Sequence, residues 1–156
     1  MAIKEGNKAP DFKLKNTEKQ EIRLSDYSGK KNVLLLFFPL AFTGVCTKEL
    51  CSTRDNLKSY ENLDAEVLAV SVDSPFTLGE FKKANNLNFN LLSDFNKTAS
   101  QSYGAYYADF LGFKGVSKRS AFVIDKSGDV KYAEVLEDAG QLPDFSAIKE
   151  TLNTLN

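Results

Sequence analysis

The run "VLLLFF", Val33–Phe38, constrains this chain more than any other stretch. Consecutive apolar residues leave no polar face, so as a strand this segment must be covered on both sides. Pro39 ends it, since proline has no N–H to give to a ladder. From Gly44 to Tyr60 the pattern turns helical, with Val45, Leu50, Leu57 and Tyr60 at loose helical intervals. "AEVLAVSVD", Ala65–Asp73, is a second strand of the buried kind.

The flanks extend this core. "KAPDFKLKN" and "KQEIRLSDY" alternate around a turn near Thr17–Lys19 and predict an N-terminal β-hairpin. "SPFTLGEFKKANN" predicts a helix with Ser74 as N-cap and Pro75 at its first position. "NFNLLSD" is a short strand, and "NKTASQSYGA" a short helix ending near Gly104. "RSAFVID" and "DVKYAEVLE" are strands joined by the turn "DKSGD". "PDFSAIKETLNTL" is an amphipathic helix with Phe145, Ile148, Leu152 and Leu155 on one face. The order is β, β, β, α, β, α, β, α, β, β, α. It predicts an α/β protein with a thioredoxin-like fold: a mixed central sheet, helices on both faces and an N-terminal β-hairpin. A length of 156 residues fits one domain, 1–156, with a core large enough to need no staples.

Charge narrows the function. With 20 basic and 21 acidic residues the net charge is −1, which disfavours nucleic acid and membrane surfaces as partners. No apolar run approaches a membrane span, and "MAIKEGNKAPDF" lacks the apolar core of a secretory signal, so a cytoplasmic location is expected. Thiols there start reduced. The chain has 2 cysteines and no histidine, too few soft ligands for an ordinary zinc site, and no cofactor or metal is expected.

Both cysteines fall in "FFPLAFTGVCTKELC". Cys46 follows the buried strand at the start of the predicted helix, where unpaired N–H groups and the positive dipole end favour an anion. A thiolate there is stabilised below the free-thiol pKa of about 8.5, a means of activating sulfur without histidine. Thr43 adds a hydroxyl, Pro39 rigidifies the loop, and Gly44 lets the backbone approach closely. Arg119, at the start of "RSAFVID", is the expected cation if that strand lies beside Val33–Phe38; Lys48 and Arg54 are rivals expected to face solvent. Such a site suits a small substrate with two oxygens, attacked by sulfur at one of them. On a regular helix the Cα atoms of Cys46 and Cys51 stand about 8–9 Å apart, beyond disulfide reach of about 4.4–6.8 Å. They bond only if the first turns unwind.

"PLAFTGVC" is similar to the P-x-x-x-T-x-x-C signature of the peroxiredoxins, with Pro39, Thr43 and Cys46 in register. "KAPDF", "VLLLFFP", "VLAVSVDSPF" and "RSAFVID" resemble that family's other core segments in the same order. The resemblance implies a thiol peroxidase in which Cys46 attacks a hydroperoxide and becomes a sulfenic acid. It implies that Thr43 and Arg119 activate the peroxide, that Pro39 shields the sulfenate, and that Glu49 helps orient the arginine. "CTKELC" resembles the Q-type (bacterioferritin-comigratory) branch, in which the second cysteine, here Cys51, resolves the sulfenate. "FFPLAFTGVC" and "VLEDAGQLPDF" resemble the alkyl hydroperoxide reductase E type, in which a second cysteine is often absent. The implied partners are a hydroperoxide and a thiol reductant such as thioredoxin or a glutaredoxin-like protein, with the chain a monomer or homodimer.

Other readings stand beside this one. Cys51 packs as a small hydrophobe in a one-cysteine enzyme. Thr43 only caps the helix. Arg119 is a surface charge. Tyr103, Tyr106, Tyr107, Phe110 and Phe113 form core, pocket wall or dimer contact. A disulfide reductase wants C-x-x-C rather than this longer spacing, and a non-catalytic binding module on the same scaffold is the remaining class.

Overall fold

The structure, a computed structural model, describes residues 3–156; Met1 and Ala2 of the expected domain lie outside the described residues. The hairpin forms from β1, Lys13–Asn16, and β2, Glu21–Arg23, with Leu14 opposite Ile22. "LSDY", expected to continue the second strand, is instead a 3-10 turn, Leu24–Tyr27, because Asp26 Oδ2 accepts from the Arg23 N–H at 2.9 Å. Strand β3, Asn32–Phe37, leads to helices α1, Gly44–Asp55, and α2, Leu57–Asn62, then β4, Ala65–Ser71.

Helix α3, Pro75–Ala84, starts as expected: Ser74 accepts from the Thr77 N–H. Strand β5, Asn90–Ser93, and helix α4, Thr98–Ser102, follow. Next come β6, Tyr106–Tyr107, and β7, Val116–Ser117, then β8, Ser120–Ile124, β9, Val130–Val135, and α5, Phe145–Thr154, capped by Asp144.

Seven strands make one mixed sheet in the order β2-β1-β5-β4-β3-β8-β9. Strand β3 pairs parallel with β4 and antiparallel with β8. Every residue of β3 is buried, and the pleat divides them by parity. Leu34, Leu36 and Phe38 join a core with α1, α2, α3 and α5 residues, including Cys46, Leu50, Tyr60, Phe81 and Ile148. Val33, Leu35 and Phe37 face a second core with Phe12, Ala99, Tyr103 and Phe122. The expected face of α5 is real: Ile148 and Leu152 are fully buried, with Phe145 and Leu155 packed beside them.

Two features depart from the expected order. The long helix breaks at Asn56, whose backbone (φ −106, ψ 9) leaves the helical region. Its side-chain amide donates to the Ser52 carbonyl at 2.9 Å, the local competition that makes asparagine a helix stop. The segment after Gly104 folds back as a separate ribbon, with Tyr106 opposite Ser117. No helix among the described residues is long and apolar enough to cross a membrane.

Candidate active site

Strand β3 delivers the chain to the site and β8 delivers its partner. Because Phe37 pairs with Ser120, antiparallel register sets Arg119 at the end of β3 where the cysteine loop begins. The loop Pro39–Thr43 then turns into α1. Phe42 takes a left-handed conformation there, φ 66, with its ring edge-on to Phe81 at 5.0 Å. Thr43 is the N-cap by backbone, yet its side chain caps nothing; Oγ1 donates to the Leu40 carbonyl at 2.7 Å. Capping is therefore not what the hydroxyl does. Gly44 has an ordinary φ, and a Cβ there would meet nothing within 4 Å, so the close approach expected of it is not required.

Cys46 is the third residue of α1 and 1% exposed. Arg119, also 1% exposed, donates from Nη2 to Cys46 Sγ at 3.1 Å. Its Nη1 donates to Glu49 Oε1 at 2.6 Å, and its Nε to the Ala139 carbonyl at 3.0 Å. The surface-charge reading of Arg119 is thus excluded. Cys46 and Glu49, three residues apart on a helix, share the face that meets the guanidinium. A planar fork is suited to holding two acceptors at once.

Electrostatics ties the three groups together. Burial works against the Arg119 charge, but Glu49 and then Cys46 outweigh it and hold the guanidinium above its ordinary value. Burial pushes the Glu49 carboxyl up to about 7, with Arg119 pulling the other way. Glu49 Oε2 has no hydrogen-bond partner among the described residues.

A pocket of about 280 Å³ opens onto the sulfur, walled by Pro39, Leu40, Thr43, Val45, Phe110, Leu111 and Ala139. The loop after β9 forms part of this wall, and its Ala139 carbonyl is the third anchor of Arg119, a role sequence reasoning missed. The aromatic group divides. Tyr103 is core, donating to the Pro10 carbonyl; Tyr107 stacks on Phe110, which lines the pocket; Phe113 is exposed.

The rivals fall away from the sulfur. Lys48 is exposed. Arg54 donates to the Asn85 carbonyl at 2.6 Å, at the end of α3, and pairs with Asp55. Cys51, half-buried, packs against the first core, with Asn85 Oδ1 at 3.7 Å from its Sγ. Both thiols are free and both lie within the unbroken α1. Among the described residues no cluster of metal-ligating side chains exists.

Comparison with known proteins identifies the family. Residues 5–133 match the family model described as AhpC/TSA family. The chain is 42% identical over 141 residues to alkyl hydroperoxide reductase E of Mycobacterium bovis, covering 89% of each. It is 37% identical over 134 residues to peroxiredoxin Bcp of Bacillus subtilis, covering 82% of each. The crystal structure of peroxidoxin BcpB from Mycobacterium tuberculosis superposes with a TM-score of 0.87 at 28% identity, over 99% of both chains. With its sheet order, its thiol at a helix start and these relatives, the chain belongs to the AhpC/TSA family, as a peroxiredoxin with thiol peroxidase activity.

Proposed function

We propose that Cys46 is the peroxidatic nucleophile and that Cys51 resolves its oxidised form within the same helix. The observation that carries this reading is the Arg119 guanidinium, buried and shared between Cys46 Sγ and Glu49 Oε1. A charged donor on sulfur favours the anionic nucleophile and stays in place to meet an oxygen in the transition state.

The chemistry balances in two steps. The Cys46 thiolate attacks the terminal oxygen of a hydroperoxide; an S–O bond forms, the O–O bond breaks, the peroxide's own proton leaves with the other oxygen as alcohol or water, and the sulfenate takes a proton from solvent. Sulfur is thereby oxidised by two electrons to a sulfenic acid. Thr43 and Arg119 orient the peroxide, Arg119 stabilises the departing oxygen, and Pro39 shields the sulfenate from the side. Glu49 holds the guanidinium in place. Unwinding of the first turns of α1 then lets Cys51 attack; an S–S bond forms, the S–O bond breaks, and water leaves. A dithiol reductant such as thioredoxin or a glutaredoxin-like protein returns two electrons.

The intact α1 supports this order, because two thiols five positions apart on a helix stand too far apart to bond beforehand. That arrangement is unlike a disulfide reductase, whose sulfurs must pair in the folded state. We read residues 1–156 as one cytoplasmic domain, where free thiols are the resting state, acting as a monomer or homodimer. Intact mass after one equivalent of hydrogen peroxide tests the reading. A loss of two hydrogens is expected; a stable sulfenate or an adduct between chains would overturn the role of Cys51.

A further inference from the structure

We propose that Asp73 is a positioning residue for peroxide reduction, acting on Thr43 through the Leu40–Ala41 peptide. The inference rests on the reading above that Thr43 meets the peroxide. Asp73 lies beyond the end of β4, and its Oδ2 accepts from the Ala41 N–H at 2.8 Å. The same oxygen accepts from Ser71 Oγ at 2.7 Å. Its own backbone is fixed as well: Asp73 N–H donates to Ser71 Oγ at 3.2 Å, and its carbonyl accepts from Ser93 Oγ at 2.6 Å. Both serines are buried at the ends of two neighbouring strands. The carboxylate is thus a rigid post set in the sheet.

What it grips is one peptide group. The Leu40–Ala41 peptide gives its N–H to Asp73 and its C=O to the Thr43 hydroxyl, 2.7 Å away. In a trans peptide these two groups point in opposite directions, so holding one aims the other. The hydroxyl has one proton and two lone pairs. With the proton committed to Leu40, Thr43 offers the pocket only acceptor capacity. It then receives the O–H of a hydroperoxide, while Arg119 donates to an oxygen of the same molecule. The two contacts have opposite polarity and orient the O–O bond. The Phe42 backbone between Ala41 and Thr43, at φ 66, gives the loop a reason to relax if this grip is lost.

The test compares two reactions of Cys46: oxidation by hydrogen peroxide in stopped flow, and alkylation by iodoacetamide, which has no O–O bond to orient. Asp73→Ala is expected to slow oxidation about 10–100-fold, the cost of a misplaced positioning group, while alkylation keeps its rate. Asp73→Asn, whose Oδ1 still accepts from Ala41, is expected to recover most of the oxidation rate. Thr43→Val is expected to be slow, and Asp73→Ala added to it no slower. If Asp73→Ala does not fold, Ser71→Ala removes the hydroxyl that holds the same carboxylate and is read in the same way. Equal slowing of both reactions, or losses that multiply in the double variant, would overturn Asp73 and leave Thr43 standing. A Thr43→Val variant as fast as wild type would instead remove Thr43 from the mechanism, and this inference with it.

Discussion

Helix α1 carries two sulfurs in contrasting surroundings. Cys46, in its first turn, is fully buried and receives a guanidinium N–H at 3.1 Å. Cys51, farther along the same helix, is half-buried and has the Asn85 amide oxygen at 3.7 Å, with the Arg54 guanidinium in electrostatic range but not hydrogen-bonded to the sulfur. One element and one residue type thus place in contrasting settings the two sulfurs that the proposal casts as nucleophile and resolver. The helix start favours the first sulfur, and the rest of the difference comes from what β8 and α3 bring to each end. An arginine set by sheet register meets the first sulfur, whereas the end of a neighbouring helix meets the second. Reactivity here belongs to the tertiary contact, and local sequence supplies the place for it.

That contrast is open to direct challenge. Cys46→Ser should cost the largest factor, at least about a thousandfold in peroxide consumption, as for removal of a catalytic nucleophile. A peroxide electrode or coupled assay checks it, and any substantial residual rate would shift the first oxidation to Cys51. Arg119→Met combined with Glu49→Gln removes the guanidinium without stranding a buried carboxylate. It should slow the peroxide step by about 10²–10³-fold, the scale of losing one transition-state donor. Stopped-flow fluorescence reads the rate; an unchanged value would make the two sulfurs electrostatically equal.

Cys51→Ser should leave the first oxidation near its wild-type rate and change the product. A trapped sulfenic acid, detected by dimedone labelling and intact mass, replaces the internal disulfide. Gly44→Ala has a smaller expected effect. The added Cβ meets nothing within 4 Å and raises helix propensity at the first turn by about 0.5–1 kcal/mol. Closure of the disulfide should slow several-fold, in line with that energy, relative to sulfenate formation. Smallest is a pH effect. The Glu49 carboxyl is raised by burial from 4.5 to about 7, so the folded state holds a proton that the unfolded chain has released. Its contribution to stability is complete below about pH 4.5 and is lost as pH rises through about 7. Glu49→Gln should flatten this part of a denaturation-midpoint profile.

Much of this molecule is legible in the residues. Val33–Phe38 predicts a strand buried on both faces because nothing in it is polar, and β3 is that strand. Pro39, Thr43 and Cys46 are picked out together by resemblance to a family signature, and Arg119 is expected there only if its strand lies beside Val33–Phe38, a pairing that the fold supplies. What sequence reasoning misses is contact between distant segments. Ala139 reaches Arg119 through a carbonyl, which every residue possesses, so its identity carries no signal. Asp73 follows a strand like many aspartates, and only the fold shows that it meets a loop 32 residues earlier. The ribbon of Tyr106–Tyr107 with Val116–Ser117 escaped because strands of 2 residues have no periodicity to detect.

The interruption at Asn56 has a consequence for catalysis. If Cys51 resolves Cys46 as proposed, α1 comes apart and reforms in every cycle, which risks dragging its neighbours with it. Here α1 ends before α2 begins, and α2 is separately moored by Tyr60 in the core. Under that mechanism the break is a firewall: unwinding from Gly44 past both sulfurs ends at Asn56, and α2 keeps its place in the scaffold.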